Sequence, residues 1–508
     1  MTITGKCLGL GLAALLAGCA SAPPAQVEAK LPAQWAHDVQ HYAEEEVDVA
    51  HGGSVTQLLQ WWQQWQDPVL LDLIEAAQQH SPDLASAAAR IAQARAAAVG
   101  TGAAMQPQLN AQAGVQRVPA STQSIPASMA NMVTPSTQLN IGNVGAQLQW
   151  ELDVFGGLRY ADQAAQARLK GAQAQWHQAR VSLAADTANQ YFAWRACQDN
   201  LALVAADAQS RMETERLTGI LSQAGFAAPA QWALTQAGTA QAQAQHNEMQ
   251  AQCTAALKGL SALTALPQTE LEQRLQAPVG EQPALRVDSV PAHVLAQRPD
   301  VFAAAQAVAA AAGDVGQADA QRYPRISLSA NVARAGIQVP RFDLNLYQTT
   351  WGVGPLGITL PLWDGGRRKA QVAASQAQYE AAVLQYQAAL RNAVREVETA
   401  LNNLHAARQR QGQIATAVAG FSRAYTAANA KYRAGMGSLL ELEDARRNHV
   451  QAQQRQIQLE QQTRNAGVAL YRALGGGWQM ANNATQADQE MVKTGTAQRR
   501  AEQKDKQS

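Results

Sequence analysis

Four cysteines and nine histidines are the residues of this 508-residue chain with the richest chemistry open to them. The histidines form no catalytic pattern. HExxH is absent, and the one close pair, His37 and His41 beside Glu44, Glu45 and Glu46, reads as a solvated polar run. No GxSxG elbow or phosphate-binding GxxxxGK[ST] loop occurs, and Gly475-Gly476-Gly477 follows a helical pattern, where glycine stops a helix. The chain is therefore expected to be no enzyme and to use no cofactor or metal. Of the thiols, Cys7 lies in a leader and Cys19 directly follows it. Lys6 precedes 11 residues of Leu, Ala and Gly from Leu8 to Gly18, a signal-peptide core too short to span a bilayer. Setting Cys7 and Cys19 aside leaves Cys197 and Cys253, in an oxidising compartment.

Composition narrows the elements that must position these residues. With 47% apolar residues the chain is not disordered, and its net charge of +1 excludes the footprint of a nucleic-acid binder. Charged residues make up only 16% and aromatics 5%, against about 25% charged in ordinary globular proteins. Ala and Gln fill the gap, which suits long, closely packed helices. The leader ends in Leu16-Ala17-Gly18-Cys19, which resembles a bacterial lipobox, so Cys19 is the expected first mature residue and carries covalent lipid on its sulfur. Residue 20 is Ala, not Asp, and the resemblance to bacterial lipoproteins implies sorting to the outer membrane. A single chain anchors marginally, so further acylation or other membrane contacts are needed.

The chain is a duplication. Ser81-Pro82-Asp83-Leu84 matches Arg298-Pro299-Asp300-Val301, Pro107 matches Pro324, Gly156-Gly157 matches Gly365-Gly366, and Gly225 matches Gly435. The spacing of the matches requires an extra loop in the first copy, between Val118 and Gln138. Each copy reads as helix, strand, loop, strand, long helix, tip and helix. The strands show strict alternation: Leu109, Ala111, Ala113 and Val115; Val144, Ala146, Leu148, Trp150 and Leu152; Ile326, Leu328, Ala330 and Val332; Leu356, Ile358, Leu360 and Leu362. Segments apolar on one face and polar on the other suit an outer-membrane barrel. Four strands cannot close one, whereas three copies give 12 strands and an opening. Trp150, Phe155, Tyr323 and Trp363 stand where the membrane interface is expected.

Helices Leu158 to Gln223 and Gly366 to Ala434 run about 100 Å without proline, too long and too polar for a bilayer, so they project away from it. After each tip the chain returns for Gln231 to Thr264 and Leu439 to Leu474. Cys197 and Cys253 are equidistant from Gly225 at the first tip, so a hairpin folded there brings them to one height. They form either a disulfide or two small buried thiols.

The strands, the glycine pairs and the duplication resemble the TolC-like outer membrane factor family, in its lipoprotein efflux branch. Local matches are Trp61-Trp62 with Asp67-Pro68, Arg298-Pro299-Asp300-Val301, Pro361 to Arg368, Tyr432-Arg433-Ala434-Gly435 and Leu470 to Trp478. The resemblance implies an α+β membrane protein, with a trimeric 12-stranded transmembrane β-barrel continued by a periplasmic α-helical barrel. It also implies the tips, Gly225, Phe226 and Ala227 with Gly435, Met436 and Gly437, as contacts for a periplasmic adaptor, with an inner-membrane pump beyond. Aligned on the family's second tip, Leu440, Glu441, Asp444 and Arg447 take the positions that constrict the closed end. Residues 440, 444 and 447 share one helical face, which could form an apolar ring above an acidic one, with Asp444 and Arg447 holding neighbouring helices; an exposed helix start complementing the dipole is the alternative. The domains expected are a signal peptide at 1–18, a linker at 19–56, repeats at 57–290 and 291–478, and a polar tail at 479–508. The function implied is a passive outer-membrane duct exporting drugs or other small toxic molecules. A type I protein-secretion conduit and a periplasmic structural stalk are the alternatives.

Overall fold

The computed structural model describes residues 22–27, 61–119, 138–278, 280, 298–339 and 344–477. Cys19, most of the 19–56 linker, the extra loop, His37, His41 and the tail lie outside them. A 3-10 turn at Trp61–Trp65 leads into helices α1 (Pro68–His80) and α2 (Pro82–Ala104), strands β1 (Gln108–Pro119) and β2 (Gln138–Leu152), and helices α3 (Gly157–Gln223), α4 (Pro229–Thr264) and α5 (Gln268–Arg274). Then follow α6 (Pro299–Ala320), β3 (Arg325–Val339), β4 (Leu344–Thr359), α7 (Arg367–Arg433), α8 (Leu439–Ala473) and a 3-10 turn at Gly475–Gly477. The two copies are plain in this order, and the equivalent long helices α3 and α7 each hold 67 residues. Among the described residues no helix is long and apolar enough to cross a membrane.

The chain forms two compact units: Met1–Glu28, Arg90–Ala172 and Ala304–Tyr386 make the first, and Ala29–Ala89, Gln173–Ala303 and Gln387–Ser508 the second. Each takes part of both sequence repeats, because the strands of the two copies pair with each other. The first unit carries an antiparallel sheet in the order β1-β2-β3-β4. Its register aligns the alternating residues into one face: Leu109 lies opposite Leu148, Leu148 opposite Ala330, and Ala330 opposite Val353. Strand β4 differs from the sequence expectation. It begins at Leu344, twelve residues before Leu356, and ends at Thr359, short of Leu360 and Leu362. A bulge at Gly354-Pro355 explains the early half, because Val353 and Leu356 share a face although they are three positions apart, an odd step that would otherwise put them on opposite faces. Pro361, which has no N–H to give a ladder, follows the end.

The turns from strand to long helix repeat one device. The Asp153 carboxylate accepts from the Leu158 and Arg159 amides at 3.0 and 2.9 Å, after Gly156 at φ +78°. Asp364 accepts from the Gly366 and Arg368 amides at 3.0 and 3.2 Å, after Gly365 at φ +65°. Each aspartate thus satisfies orphan donors of a helix start. Desolvation opposes ionisation of Asp364, but hydrogen bonds from Arg368 and Gly366 outweigh it and hold the carboxyl below its ordinary range. Beside these turns Phe155 stacks on Tyr323 with ring centroids 5.0 Å apart, Trp150 donates its indole N–H to the Met105 carbonyl at 2.9 Å, and Trp363 is exposed.

The second unit is organised by two buried charges. Asp67 caps α1, accepting from the Val69 and Leu70 amides, both at 3.1 Å, and also from the Tyr191 hydroxyl at 2.7 Å and the Gly280 amide at 3.2 Å. Arg298, 3% exposed, donates to both oxygens of Asp300, to Glu396 at 2.8 Å and to the Ala473 carbonyl at 2.8 Å. Gly475, at φ +79°, lies so close to Arg298 that a Cβ would sit 3.1 Å from its Cα. The Trp61, Arg298 and triple-glycine motifs are therefore parts of one packed centre, closed by Trp62 edge-on to Tyr471 at 4.7 Å.

Cys197 on α3 and Cys253 on α4 are joined as a disulfide, with Cα atoms 5.5 Å apart and 56 residues of separation. In the chain-entropy model such a loop contributes about 4 kcal/mol. Replacing both cysteines with alanine is expected to lower the thermal midpoint, and the wild-type chain, thiol-blocked before electrophoresis, should change mobility on reduction. Unchanged mobility would argue against the bridge.

His177, 8% exposed and edge-on to Trp176 at 4.8 Å, has its pKa lowered to about 4 by burial, with Arg180 adding to the effect. An unfolded histidine titrates near 6.5. Between these values the unfolded chain binds the additional proton, so this contribution is complete above about pH 6.5 and is lost as pH falls towards 4. Its upper bound is about 3 kcal/mol. Denaturation midpoints measured from pH 7.5 to 4.5 are expected to decline, and His177→Gln should flatten the decline.

Candidate functional site

Both hairpin tips of the second unit are built the same way. Helix α3 ends with Gly225 at φ +81°, and the Phe226 amide donates back to the Leu221 carbonyl at 2.8 Å. Helix α7 ends with Gly435 at φ +74°, and the Met436 amide donates to the Lys431 carbonyl at 2.9 Å. This is a Schellman closure, in which the left-handed residue favours glycine. Each closure pushes one large apolar side chain into the open, Phe226 at 83% and Met436 at 78% exposure. Ala227 follows Phe226 in the first turn, where its amide also donates to Leu221 at 3.2 Å. Gly437 fits closely behind Met436, since a Cβ there would lie 3.1 Å from that of Lys431.

Ser438 then starts α8, its hydroxyl accepting from the Glu441 amide at 3.1 Å. Of the four residues singled out from sequence, Leu440, Asp444 and Arg447 line one groove of about 450 Å³, together with Leu234 from α4. Glu441 instead reaches Lys431 at 3.4 Å. Asp444 and Arg447 are brought together, but as an exposed pair one turn apart on α8. In the chain itself that pair links successive turns of one helix and not neighbouring helices, because its i, i+3 spacing lets the side chains meet locally. Such a pair contributes about 0–1 kcal/mol.

The helices are held together by residues the motif alignment passed over. Arg446, 3% exposed, donates to Glu443 on its own helix and to the Thr214 hydroxyl of α3 at 3.0 Å. Glu443 also accepts from Arg211 of α3 at 2.8 Å, and Arg211 in turn donates to Asp207 at 2.8 Å. The Tyr425 ring lies 6.0 Å from the Arg446 guanidinium carbon, and on it His449 stacks at 5.4 Å. This relay joins α3, α7 and α8. A signal for it exists in the sequence: Leu439, Leu442 and Arg446 follow a 3-4 spacing, which puts an arginine on the buried face of α8. A buried arginine requires a partner. Among the described residues no group of three or more His, Cys, Asp or Glu side chains is placed to hold a metal ion.

The model of the outer membrane efflux protein family matches residues 73–266 and 290–476. The chain belongs to that family. Among its relatives is the pyoverdine export outer membrane protein OpmQ of Pseudomonas putida, 30% identical over 425 residues, which are 82% of this chain and 88% of the relative. The solvent efflux pump outer membrane protein SrpC of Pseudomonas putida is 30% identical over 489 residues, 92% and 97% of the two chains. Among solved structures, the CmeC outer membrane channel of Campylobacter jejuni superposes with a TM-score of 0.81 at 20% identity, over 93% of this chain and 98% of that one. The outer membrane protein VceC of Vibrio cholerae gives 0.72 at 28% identity, over 82% and 99%. The fold is thus that of the TolC-like outer membrane channels, and this outer membrane efflux protein is a channel component of an export pump. The first matched segment runs from within α1 to the end of α4, and the second covers α6 to α8.

Proposed function

We propose that three copies of this outer membrane efflux protein pair β4 of one chain with β1 of the next, forming a 12-stranded barrel that passively exports drugs or other small toxic molecules. The observation that carries this reading is the sheet itself. Its order leaves β1 and β4 as unpaired edges, and its aligned apolar face cannot stay in water. In lipid both needs are met only by closure. The exposed Phe226 and Met436 tips are the contacts for a periplasmic adaptor, which connects the duct to an inner-membrane pump. Relatives named for solvent, toluene and antibiotic efflux support small organic cargo.

The relay of Arg211, Glu443, Arg446 and Thr214 holds the second hairpin in its closed position, with Leu440, Glu441, Asp444 and Arg447 at the narrow end. Lipid on Cys19 anchors each chain. In support, Pro24 accepts a hydrogen bond from the Tyr379 hydroxyl of α7 at 2.9 Å. Tyr379 lies twelve residues into the helix, about 18 Å from its start, and the five residues back to Cys19 reach about 17 Å when extended. Deleting the gene is expected to lower the inhibitory concentrations of several unrelated lipophilic drugs, with restoration by the wild-type chain and cross-linking from the tips to an adaptor. An unchanged susceptibility panel would count against the proposal.

A further inference from the structure

The register divides the apolar face of the sheet into tiers. Starting at the helix end, Ile326 lies beside Leu152 and Ile358, Leu328 beside Trp150 and Leu356, Ala330 beside Leu148 and Val353, and Val332 beside Ala146 and Trp351. Below them Leu360 and Leu362 continue the alternation past the end of β4 and are exposed. These six tiers carry no charge. Consecutive tiers are two residues apart, and a strand tilted by about 40° climbs about 5 Å in that distance. Six tiers therefore span about 25 Å, the height of the apolar band of an outer-membrane barrel.

The next tier breaks the pattern. Arg334 stands there between Val144 and Thr349, on the same face and exposed. Its guanidinium carbon lies 5.2 Å from the ring of Tyr347, one tier higher. Among the described residues no carboxylate pairs with it. Beyond Tyr347 the face turns fully polar, with Arg117, Asn140, Gln338 and Asn345 in one row. An arginine facing hydrocarbon at the midplane costs about 2–4 kcal/mol, falling towards zero at the interface. Arg334 therefore marks the depth of the outer-leaflet headgroups, and the Tyr347 ring beside it is the amphipathic group that favours that depth.

We infer that Arg334, steadied over Tyr347, binds the phosphate of an anionic outer-leaflet lipid headgroup, once in each copy. The planar guanidinium fork matches a phosphate, and its partner there is supplied by lipid rather than protein. This rests on the barrel reading above, since only a lipid-facing sheet presents Arg334 to headgroups.

The test uses full-length protein reconstituted in phosphatidylcholine vesicles with and without lipid A, followed by heat dissociation of the oligomer. Lipid A is expected to raise the wild-type dissociation temperature by several degrees. Arg334→Gln should lose most of that rise and Arg334→Lys keep part of it, while inorganic phosphate added to phosphatidylcholine vesicles should give none. An undiminished rise in Arg334→Gln would overturn the inference. So would an equal loss of stability in both vesicle types, which would identify a carboxylate of a neighbouring copy as the partner. Failure of every variant to form a heat-resistant oligomer in any vesicle would instead remove the barrel reading, and this site with it.

Discussion

Glu443→Gln is expected to raise the open probability of the channel in planar bilayers more than any substitution at the aligned motif positions. Glu443 is the shared anion of the relay, accepting from both Arg211 and Arg446. The amide keeps the shape but leaves Arg446 as a buried, uncompensated cation, and breaking such a pair costs about 3–5 kcal/mol. If that cost falls on the closed state alone, the closed-to-open ratio drops by at least about a hundredfold, since each 1.4 kcal/mol is about a factor of ten. Arg446→Met should do less, because Glu443 would still have Arg211 and the methionine fills the space. Asp444→Ala should do least, because its pair with Arg447 is exposed and lies within one helix. Reversal of this order, with oligomer content unchanged, would place the latch in the exposed pair instead.

Arg298→Met should carry the largest cost in stability. The guanidinium satisfies two carboxylates and the carbonyl that ends α8, all from a position 3% exposed. Its removal leaves Asp300 and Glu396 close together and the Ala473 carbonyl without that donor, a loss of about 3–5 kcal/mol. A lysine should rescue little of it, since a single ammonium cannot reproduce the planar fork. Chemical denaturation of detergent-purified protein, with the yield of assembled oligomer as a second measure, tests both variants. A midpoint within error of wild type for Arg298→Met would show that this centre does not hold the unit together.

The two copies, the four strands and the long helices were legible because each rests on a local repeating signal: period 2 in the strands, proline-free runs in the helices, and glycines at φ near +80° in the tips. The early half of β4 was hidden because the bulge at Gly354-Pro355 shifts the alternation by one residue. The relay was hidden for another reason. A family motif directs attention to Leu440, Glu441, Asp444 and Arg447, whereas the cross-helix contacts come from Glu443 and Arg446, and their partners Arg211 and Thr214 lie 232 residues away in sequence. Periodicity assigns a residue to a face of its own helix. It does not say which distant helix that face meets.

The Cys197–Cys253 bridge has no counterpart in the second copy. The duplication offset of 210 residues, taken from Gly157–Gln223 and Arg367–Arg433, puts Ala407 and Thr463 at the equivalent positions. One hairpin is thus riveted across its two arms, while the other is fastened to it by contacts that thermal motion can undo. Under the proposed reading, the bridged hairpin is the jamb and the unbridged one the door.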